Sequence, residues 1–322
     1  MIDKRTYAIS SMAGISCRTL SIIIINWNTI NLLRDCLDSI FNNIGSLDCE
    51  VIVVDNGSSD GSQQMVESEF HSVILIANKI NLGFAAANNQ GLKLSKGRYI
   101  LFLNSDTVVL GDVLQKSVSY LETNDEIGAM GCRVLNTDGS VQLTCSMYPS
   151  VLNQFLQLMG VWKLKWPRFF GRYLMTHWAR DTEREVEVIS GCFLLSRRDL
   201  IVEIGLFDEN FYFFGEETDW CFRAINAGWK LKFAPVGEII HHGGASAIKL
   251  NYKRDVLLTR AKVQLHRKHN NVASACLVWI MGLLFNFSRA LYWTFRSIGG
   301  EDYPRKRALH FAKVCVHINE CW

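Results

Sequence analysis

Asp106 occupies the most informative position of any acidic residue in this sequence. It lies in the polar segment 104–107, directly after the apolar run 99–103. Such a run is typical of a buried strand, and open α/β sheets bind their ligands at the carboxyl ends of their strands. A carboxylate at that edge suits a hard divalent cation, which can in turn hold a pyrophosphate. Asp106 therefore predicts a cation site that serves a diphosphate ligand.

Two further polar segments follow or precede predicted regular elements. Asp55 follows the apolar run 51–54, where its carboxylate could accept a hydrogen bond from a base N–H or cap its own loop. Asn81 and Gly83 precede the small residues 85–89 at a predicted helix start. The free N–H groups there favour an anionic ligand, although small residues equally suit packing of a helix against a sheet. Both interpretations stay open for each segment.

An acidic cluster lies among aromatic residues near the middle of the chain. Glu216, Glu217 and Asp219 stand beside Trp220 and the segment 211–214, which contains four aromatic rings. Apolar surroundings raise the pKa of a carboxyl group, as a general base requires. The alternative is a set of solvated acids that the dipole at a helix start favours.

A pair of histidines, His241 and His242, follows the strand-like segment 236–240. A histidine at a strand end can complete a metal site or contact a phosphate. A purely structural pair is the alternative interpretation.

The elements that must position these residues alternate regularly in the first half of the chain. Strand patterns cover 21–25, 51–54, 73–77 and 99–103, and helical patterns cover 31–41, a segment from residue 60 or 62, and 85–94. This order predicts a parallel sheet with right-handed crossovers. After residue 134 we expect an aromatic insertion at 147–185, strands at 186–190 and 192–195, and a helix at 218–226.

The composition bounds the class of protein. The 322 residues are 49% hydrophobic and 20% charged, and their net charge is only +3, so we expect a globular protein and no nucleic-acid partner. Ten cysteines occur without a C-x-x-C pair, which excludes a zinc ribbon and, with no evident signal peptide, favours a reducing, cytoplasmic compartment. Residues 1–19 are expected to form a loose leader.

The C-terminal region contains one long apolar stretch. Residues 272–287 fall short of the ~20 residues that a membrane-spanning helix needs, although 290–295 extend the stretch past Arg289. Its aromatic residues and basic flanks favour an interfacial helix that contacts a membrane through 272–296. A core or dimer helix is the equally weighted alternative.

Read in order, seven segments resemble the family 2 inverting glycosyltransferases of the GT-A fold, especially the rhamnosyltransferase-like branch. The segments are 21–29, 53–62, 81–88, 103–107, 205–209, 216–223 and 241–246. The resemblance covers residues 20–247 and implies an α/β fold with a Rossmann-like, mostly parallel central sheet flanked by helices. It implies a nucleotide-binding half at 20–134 and an acceptor-binding half at 135–247. Residues 248–322 would form a C-terminal helical extension.

The resemblance also implies a role for each matched residue. Asp106 and His241 would bind Mg²⁺ or Mn²⁺, with His242 as the fallback ligand. Glu217 would be the general base, with Glu216 or Asp219 as alternatives. The residues implied in binding the nucleotide sugar are Asn28, Thr29, Asp55, Asn56, Asn81, Gly83, Asn88, Asn104 and Ser105.

Two residues depart from the family pattern. Asn104 replaces the first acid of the D-x-D motif, which leaves less negative charge for the metal. Glu217 replaces the usual aspartate and is longer by one methylene.

The implied reaction transfers a sugar from a nucleotide diphosphate sugar, either dTDP-rhamnose or a UDP-sugar, to a glycan or lipid-linked acceptor in cell-surface polysaccharide synthesis. We expect a peripheral position on the inner face of the membrane. A sugar-phosphate nucleotidyltransferase is one alternative, but it would need a Gly-rich, basic loop that 26–29 does not supply. A non-catalytic nucleotide-sugar-binding protein is the other, suggested by the weakened metal motif.

Overall fold

The computed structural model describes residues 18–164, 167–243, 250–299 and 302–322. The expected leader lies outside the described residues up to residue 17, and so do Trp166 of the aromatic insertion and 244–246 of the histidine segment. The chain divides into two compact units. The first comprises Met1–Met147, Trp178–Tyr212 and Glu216–Ala245, and the second comprises Tyr148–His177, Phe213–Gly215 and Ser246–Trp322.

The first unit is built on one sheet with the strand order β3-β2-β1-β4-β8-β6-β9-β5, and β7 pairs with β9. The strands are β1 (Arg18–Asn26), β2 (Cys49–Asp55), β3 (Ile74–Ala77), β4 (Gly97–Asn104), β5 (Thr107–Val109), β6 (Ile127–Leu135), β7 (Arg184–Glu185), β8 (Phe193–Arg197) and β9 (Lys230–His241). Strands β1 to β4 are parallel, and β8 is antiparallel to both β4 and β6. Because β9 is parallel to β6, it runs in the same direction as β1 to β4. The expected mostly parallel sheet is confirmed.

Helices flank this sheet on both faces. The α-helices of the whole described chain are α1 (Ile30–Asn43), α2 (Ser62–Glu69), α3 (Phe84–Leu94), α4 (Val113–Glu122), α5 (Val151–Leu158), α6 (Arg198–Ile204), α7 (Glu216–Asn226), α8 (Tyr252–His269), α9 (Val272–Arg296) and α10 (Asp302–Val316). Ile22 and Ile24 of β1 pack in one core cluster with Leu33 of α1. Ile25 packs with Ala87 of α3 in another cluster. Since successive strand side chains point to opposite faces, α1 and α3 cover opposite sides of the sheet.

The expected strand over 186–190 is wrong. The regular strand nearest to this segment is β7, which pairs with β9 and ends at Glu185. Val186 N donates to Leu231 O at 3.0 Å, whereas Val188 forms an isolated bridge with Ser146. The apolar pattern here reflects burial, because Val186 and Val188 are 4% and 6% exposed, but their backbones bond to two different partners.

The second unit consists of helices α5, α8, α9 and α10 with short 3-10 turns. The apolar stretch and its extension past Arg289 form one helix, α9, which continues to Arg296 and has 25 residues. Asn286 does not break the helix, since its Nδ2 donates to Gly282 O at 2.8 Å. Among the described residues, α9 is the helix long and apolar enough to cross a membrane, and 17% of its most apolar window is buried.

Candidate functional site

The centre of the candidate site forms where β4 ends and β5 pairs with β9. Thr107 of β5 lies opposite His241 of β9, so two segments far apart in sequence become neighbours. His241 Nε2 lies 3.2 Å from Asp106 Oδ1 and 3.3 Å from Asn104 Nδ2. Asp106 is 5% exposed. A carboxylate, an imidazole and a side-chain amide therefore meet at the carboxyl end of β4.

The two histidines have different positions. His241 is half-buried beside Asp106, whereas His242 is exposed and contributes its backbone N–H, which donates to Asp106 O at 2.9 Å. This backbone bond fixes the turn that carries Asp106. The side chain of His241 therefore lies beside Asp106, and its role as a metal ligand stays a prediction.

Gln142 is a component of this site that the sequence analysis missed. Its Oε1 lies 2.9 Å from His241 Nδ1, and its Nε2 donates to His241 O at 2.8 Å. An amide oxygen can only accept, so this contact places the imidazole proton on Nδ1. Nε2 of the same ring faces Asp106 and Asn104, so it is the ring nitrogen that a bound cation would contact.

These groups fit a divalent cation that shares its coordination with a ligand. Asp106 supplies one carboxylate, His241 one ring nitrogen, and Asn104 an amide whose oxygen is a further hard donor. Among the described residues, no group of three or more His, Cys, Asp or Glu side chains gathers to hold a metal. A cation here would therefore need oxygens from a bound diphosphate or water, as Mg²⁺ commonly does.

The loops after β1 and β2 form a dense hydrogen-bonded network. Asp55 is fully buried, and it accepts from Asn26 Nδ2 at 2.9 Å, from Ser58 N at 2.9 Å and from Gln63 Nε2 at 2.7 Å. Its carboxylate caps the loop, which is one of the two roles that its position predicted. Its contact with a nucleotide base stays a prediction.

Asn28 and Thr29 connect this network to the β4 turn. Asn28 has a left-handed backbone with φ of 55°, and its Oδ1 accepts from Ser59 N at 2.8 Å. The hydroxyl of Thr29 lies 3.1 Å from that of Ser105, which directly precedes Asp106. The two loops and the predicted cation site are thereby linked.

The segment before α3 is held by side-chain amides. Asn56 Nδ2 donates to Asn81 Oδ1 at 2.9 Å and to Gly83 O at 3.1 Å. Gly83 has φ of 88°, and a Cβ there would collide with the carbonyl of Tyr212. Asn88 is 1% exposed and donates to Phe84 O at 3.0 Å. These contacts fix the start of α3, where the sequence predicted a site for an anion.

The acidic residues of α7 occupy two different environments. Asp219 is fully buried and forms an ion pair with Arg223 at 2.9 Å. Arg223 also bonds to the carbonyls of Ile204 and Leu206, so this pair fastens the start of the loop before α7. That geometry favours a structural role for Asp219.

Glu216 and Glu217 lie next to each other in the first turn of α7. Burial, followed by the charge of Glu217, holds the pKa of Glu216 well above its usual range. A hydrogen bond between the two side chains acts in the same direction. One turn later, Cys221 Sγ accepts from Ile189 N at 3.5 Å, which joins α7 to the segment preceding β8. The pair therefore places two carboxyl groups, one of them with a raised pKa, at the start of α7.

The sequence of this chain is similar to those of known proteins. A family model described as glycosyl transferase family 2 matches residues 21–203. The N-acetylglucosaminyl-diphospho-decaprenol L-rhamnosyltransferase of Mycobacterium tuberculosis is 27% identical over 206 residues, which cover 60% of this chain and 66% of that protein. The chain thus spans just under two thirds of that relative's length.

Two solved structures share the fold. The mannosyltransferase PcManGT from Pyrobaculum calidifontis, in complex with GDP-Man and Mn²⁺, has a TM-score of 0.56 and 14% identity over 98% of this chain and 92% of that one. GalNAc-T7 with UDP, GalNAc and Mn²⁺ has a TM-score of 0.54 and 16% identity over 78% of this chain and 48% of that one.

Proposed function

Since this chain belongs to glycosyl transferase family 2, we propose that it transfers a sugar from a nucleoside-diphosphate sugar to a hydroxyl group of a glycan or lipid-linked acceptor. The observation that carries the proposal is the contact of His241 Nε2 with Asp106 Oδ1 at 3.2 Å, at the carboxyl end of β4. In α/β sheets this edge is where ligands bind.

Asp106 and His241, with the amide of Asn104, would hold Mg²⁺ or Mn²⁺. A bound divalent cation supplies Lewis-acid stabilisation of the departing diphosphate. The structures of PcManGT and GalNAc-T7 share this fold and both contain Mn²⁺, which supports a divalent metal. Gln142 orients His241 for this task through its contact with Nδ1.

Glu217 would act as the general base in a single in-line displacement. The acceptor oxygen attacks the anomeric carbon opposite the leaving group, its proton passes to Glu217, and the nucleoside diphosphate departs with the bonding electrons. One displacement inverts the anomeric configuration. The raised pKa of the neighbouring Glu216 supports a base at this place, because the same buried surroundings make a carboxylate more basic.

The loops that carry Asn28, Thr29, Asp55 and Asn56 would surround the nucleotide, and Asn81, Gly83, Asn88 and Ser105 would border its diphosphate. Glycines and backbone N–H groups at the start of α3 suit an anionic ligand. Asp55 caps its own loop through three hydrogen bonds, and it would contact the nucleotide base.

The donor would be dTDP-rhamnose or a UDP-sugar, and the acceptor a lipid-linked glycan at the inner face of the membrane. The name of the mycobacterial relative, which joins a decaprenol-linked acceptor to L-rhamnose transfer, supports this choice. Contact of α9 with the membrane would bring the enzyme to such an acceptor.

The proposal is tested with Asp106→Ala, Glu217→Gln and the exposed control Asp181→Asn. Release of nucleoside diphosphate is measured with a panel of dTDP- and UDP-sugars, an extracted lipid-linked acceptor, and Mn²⁺ or chelator. We expect Glu217→Gln to lower turnover by about 10²–10⁴-fold, the usual contribution of a general base. Asp106→Ala should lower it comparably and Asp181→Asn should not.

Turnover near the wild-type rate in Asp106→Ala would refute the metal role. Binding of a nucleotide sugar by the wild-type chain, without turnover on any acceptor, would instead favour a non-catalytic binding protein.

A further inference from the structure

A cavity of about 170 Å³ lies between helices α5, α8 and α9 within the second unit. Its lining includes the apolar side chains of Leu158, Met281 and Phe285. For comparison, an apolar cavity of about 150 Å³ can admit a ligand the size of benzene. The glycosyl transfer proposed above makes no use of this space.

Two side chains in the cavity wall can donate hydrogen bonds to a ligand. Lys262 Nζ lies 3.4 Å from Gln157 Oε1, a long contact that satisfies little of its hydrogen-bonding capacity. Burial lowers the pKa of Lys262 to about 8, so its ammonium is still mostly protonated at neutral pH. Gln154 is 7% exposed, and its Nε2 has no hydrogen-bond partner within the described part of the chain. A buried donor without a partner is costly, so a ligand that accepts from it would be stabilised.

Lys262 and Asp255 are the charged residues of the cavity wall. Asp255 is the carboxylate that borders it, and Asp255 already pairs with His310 at 2.8 Å and with Arg254 at 3.8 Å. Arg289 places its guanidinium 4.2 Å from the ring centroid of Phe285 at the cavity wall. Asp255 already has other partners, so Lys262 is the cation of the cavity wall that an anionic group of a ligand would face.

The apolar wall continues onto the surface of α9. Leu284 and Phe287 flank Phe285 and are 48% and 53% exposed. A ligand with an anionic head in the cavity could therefore extend a hydrocarbon chain along this helix. An amphiphile matches both parts of the surface, whereas a free anion matches only the first.

We propose that this cavity binds the phosphate group of a phosphorylated lipid. Lys262 and Gln154 donate to the phosphate oxygens, and the hydrocarbon chain packs against Phe285 and the exposed side chains of α9. The inference deepens the proposed function and rests on it in one respect, namely that a lipid-linked acceptor would carry such a phosphate. A membrane phospholipid offers the same chemistry, and the experiment separates these two sources.

Isothermal titration of the full chain in detergent micelles would use four probes: farnesyl diphosphate, farnesol, inorganic pyrophosphate and short-chain phosphatidylglycerol. We expect farnesyl diphosphate to bind at least about tenfold more tightly than farnesol or pyrophosphate, because only it offers both head and chain. Stronger binding of phosphatidylglycerol would assign the cavity to a membrane lipid, and stronger binding of farnesyl diphosphate to the acceptor.

The matched variants are Lys262→Met and Gln154→Leu, with Lys253→Met as the control from an exposed position on the same helix. Lys262→Met and Gln154→Leu should each weaken binding of the phosphorylated probe about tenfold, and Lys253→Met should not. Unchanged thermal unfolding and unchanged binding of dTDP or UDP with Mn²⁺ would show that the variants are folded.

Equal affinity for farnesol and farnesyl diphosphate would overturn the proposal, and so would unchanged affinity in both folded cavity variants. Both outcomes are measured as binding, so neither depends on whether the chain transfers a sugar. Lipid binding that Lys262→Met abolishes, in a chain without measurable sugar transfer, would support the cavity site and contradict the transferase proposal.

Discussion

At the scale of single residues, Glu216 links catalysis to the stability of the fold. Its carboxyl is 4% exposed, and burial beside Glu217 raises its pKa above the usual value of 4.5. At a pH between the usual pKa of the unfolded state and the raised pKa of the folded state, the folded state binds more protons than the unfolded state. Stability therefore falls as the pH rises through this range, and the loss is complete above the folded-state pKa.

Replacing Glu216 by Gln should remove this pH dependence. The amide can still donate to Glu217 but never ionises, so we expect the variant to be more stable than the wild type at pH 8, by about 1 kcal/mol or more. At pH 4 the two proteins should be similar. Urea unfolding at both pH values measures the difference, and Glu67→Gln, at an exposed position of α2, serves as the control. Equal stabilisation of both variants at pH 8 would contradict the prediction.

Gln142 gives a second prediction at this scale. It bonds to both the ring and the carbonyl of His241, and residues that orient a metal ligand typically contribute 10–100-fold to metal affinity or activity. Gln142→Leu should therefore raise the Mn²⁺ concentration for half-maximal turnover by roughly 10–100-fold. Gln142→Glu, which keeps an acceptor for Nδ1–H, should restore most of this loss. A similar metal requirement in wild type and Gln142→Leu would leave Gln142 with a structural role only.

At the scale of elements, the start of α3 depends on the absence of a side chain at Gly83. Its φ is 88°, and a Cβ would meet the carbonyl of Tyr212 and lie 2.8 Å from the Tyr212 ring. Gly111 also has a positive φ, of 54°, but a Cβ there has no atom within 4 Å. The two positions separate the cost of backbone strain from the cost of a collision.

We expect Gly111→Ala to destabilise the chain by about 1 kcal/mol, the usual cost of a positive φ for alanine. Gly83→Ala should cost more and should also weaken nucleotide binding, because α3 and Tyr212 must move apart. Thermal unfolding and titration with UDP and dTDP in the presence of Mn²⁺ test both effects. Equal destabilisation by the two substitutions would show that the contact with Tyr212 adjusts freely.

The parallel half of the sheet could be predicted from the sequence because its strands are buried on both faces. Such strands are continuous apolar runs, as β1, β2 and β4 show, and each ends at a polar residue. The segment 186–190 also contains buried apolar residues, but it does not form a regular strand. Its backbone bonds are divided between Leu231 and Ser146, and sequence patterns do not report which partner a backbone group finds.

The candidate site could be predicted to a similar extent. Asp106 was identifiable because a strand end is a fixed place in an α/β sheet, and the family pattern then implied His241. Gln142 carried no such signal, since it lies 99 residues from His241 in an irregular segment after β6. The sequence suggested Asp219 as an alternative base. Its spacing of four residues from Arg223 on one helix also suits the ion pair that the structure has.

At the scale of the whole molecule, helix α9 presents an apolar surface that nothing in the described chain covers. Leu284 and Leu291 are 48% and 44% exposed, and their spacing of seven residues places them on one face. Arg289 and Arg296 lie on the same helix, and basic residues beside apolar ones favour anionic membranes. With about 37 Å of length at 1.5 Å per residue, α9 is also long enough to cross the hydrocarbon core.

We therefore expect the chain to sediment with vesicles that contain phosphatidylglycerol and to remain in solution without them. Leu284→Ser combined with Leu291→Ser should reduce the partition coefficient about tenfold or more, because losing roughly 1.4 kcal/mol of burial suffices for that change. The control combines Leu94→Ser with Leu143→Ser, two leucines of the first unit that are 46% and 44% exposed. They match the α9 leucines in type and exposure, so a general effect of surface apolarity would reduce both proteins equally. A selective loss in the α9 variant assigns the membrane contact to that helix, and undiminished sedimentation of that variant would contradict it.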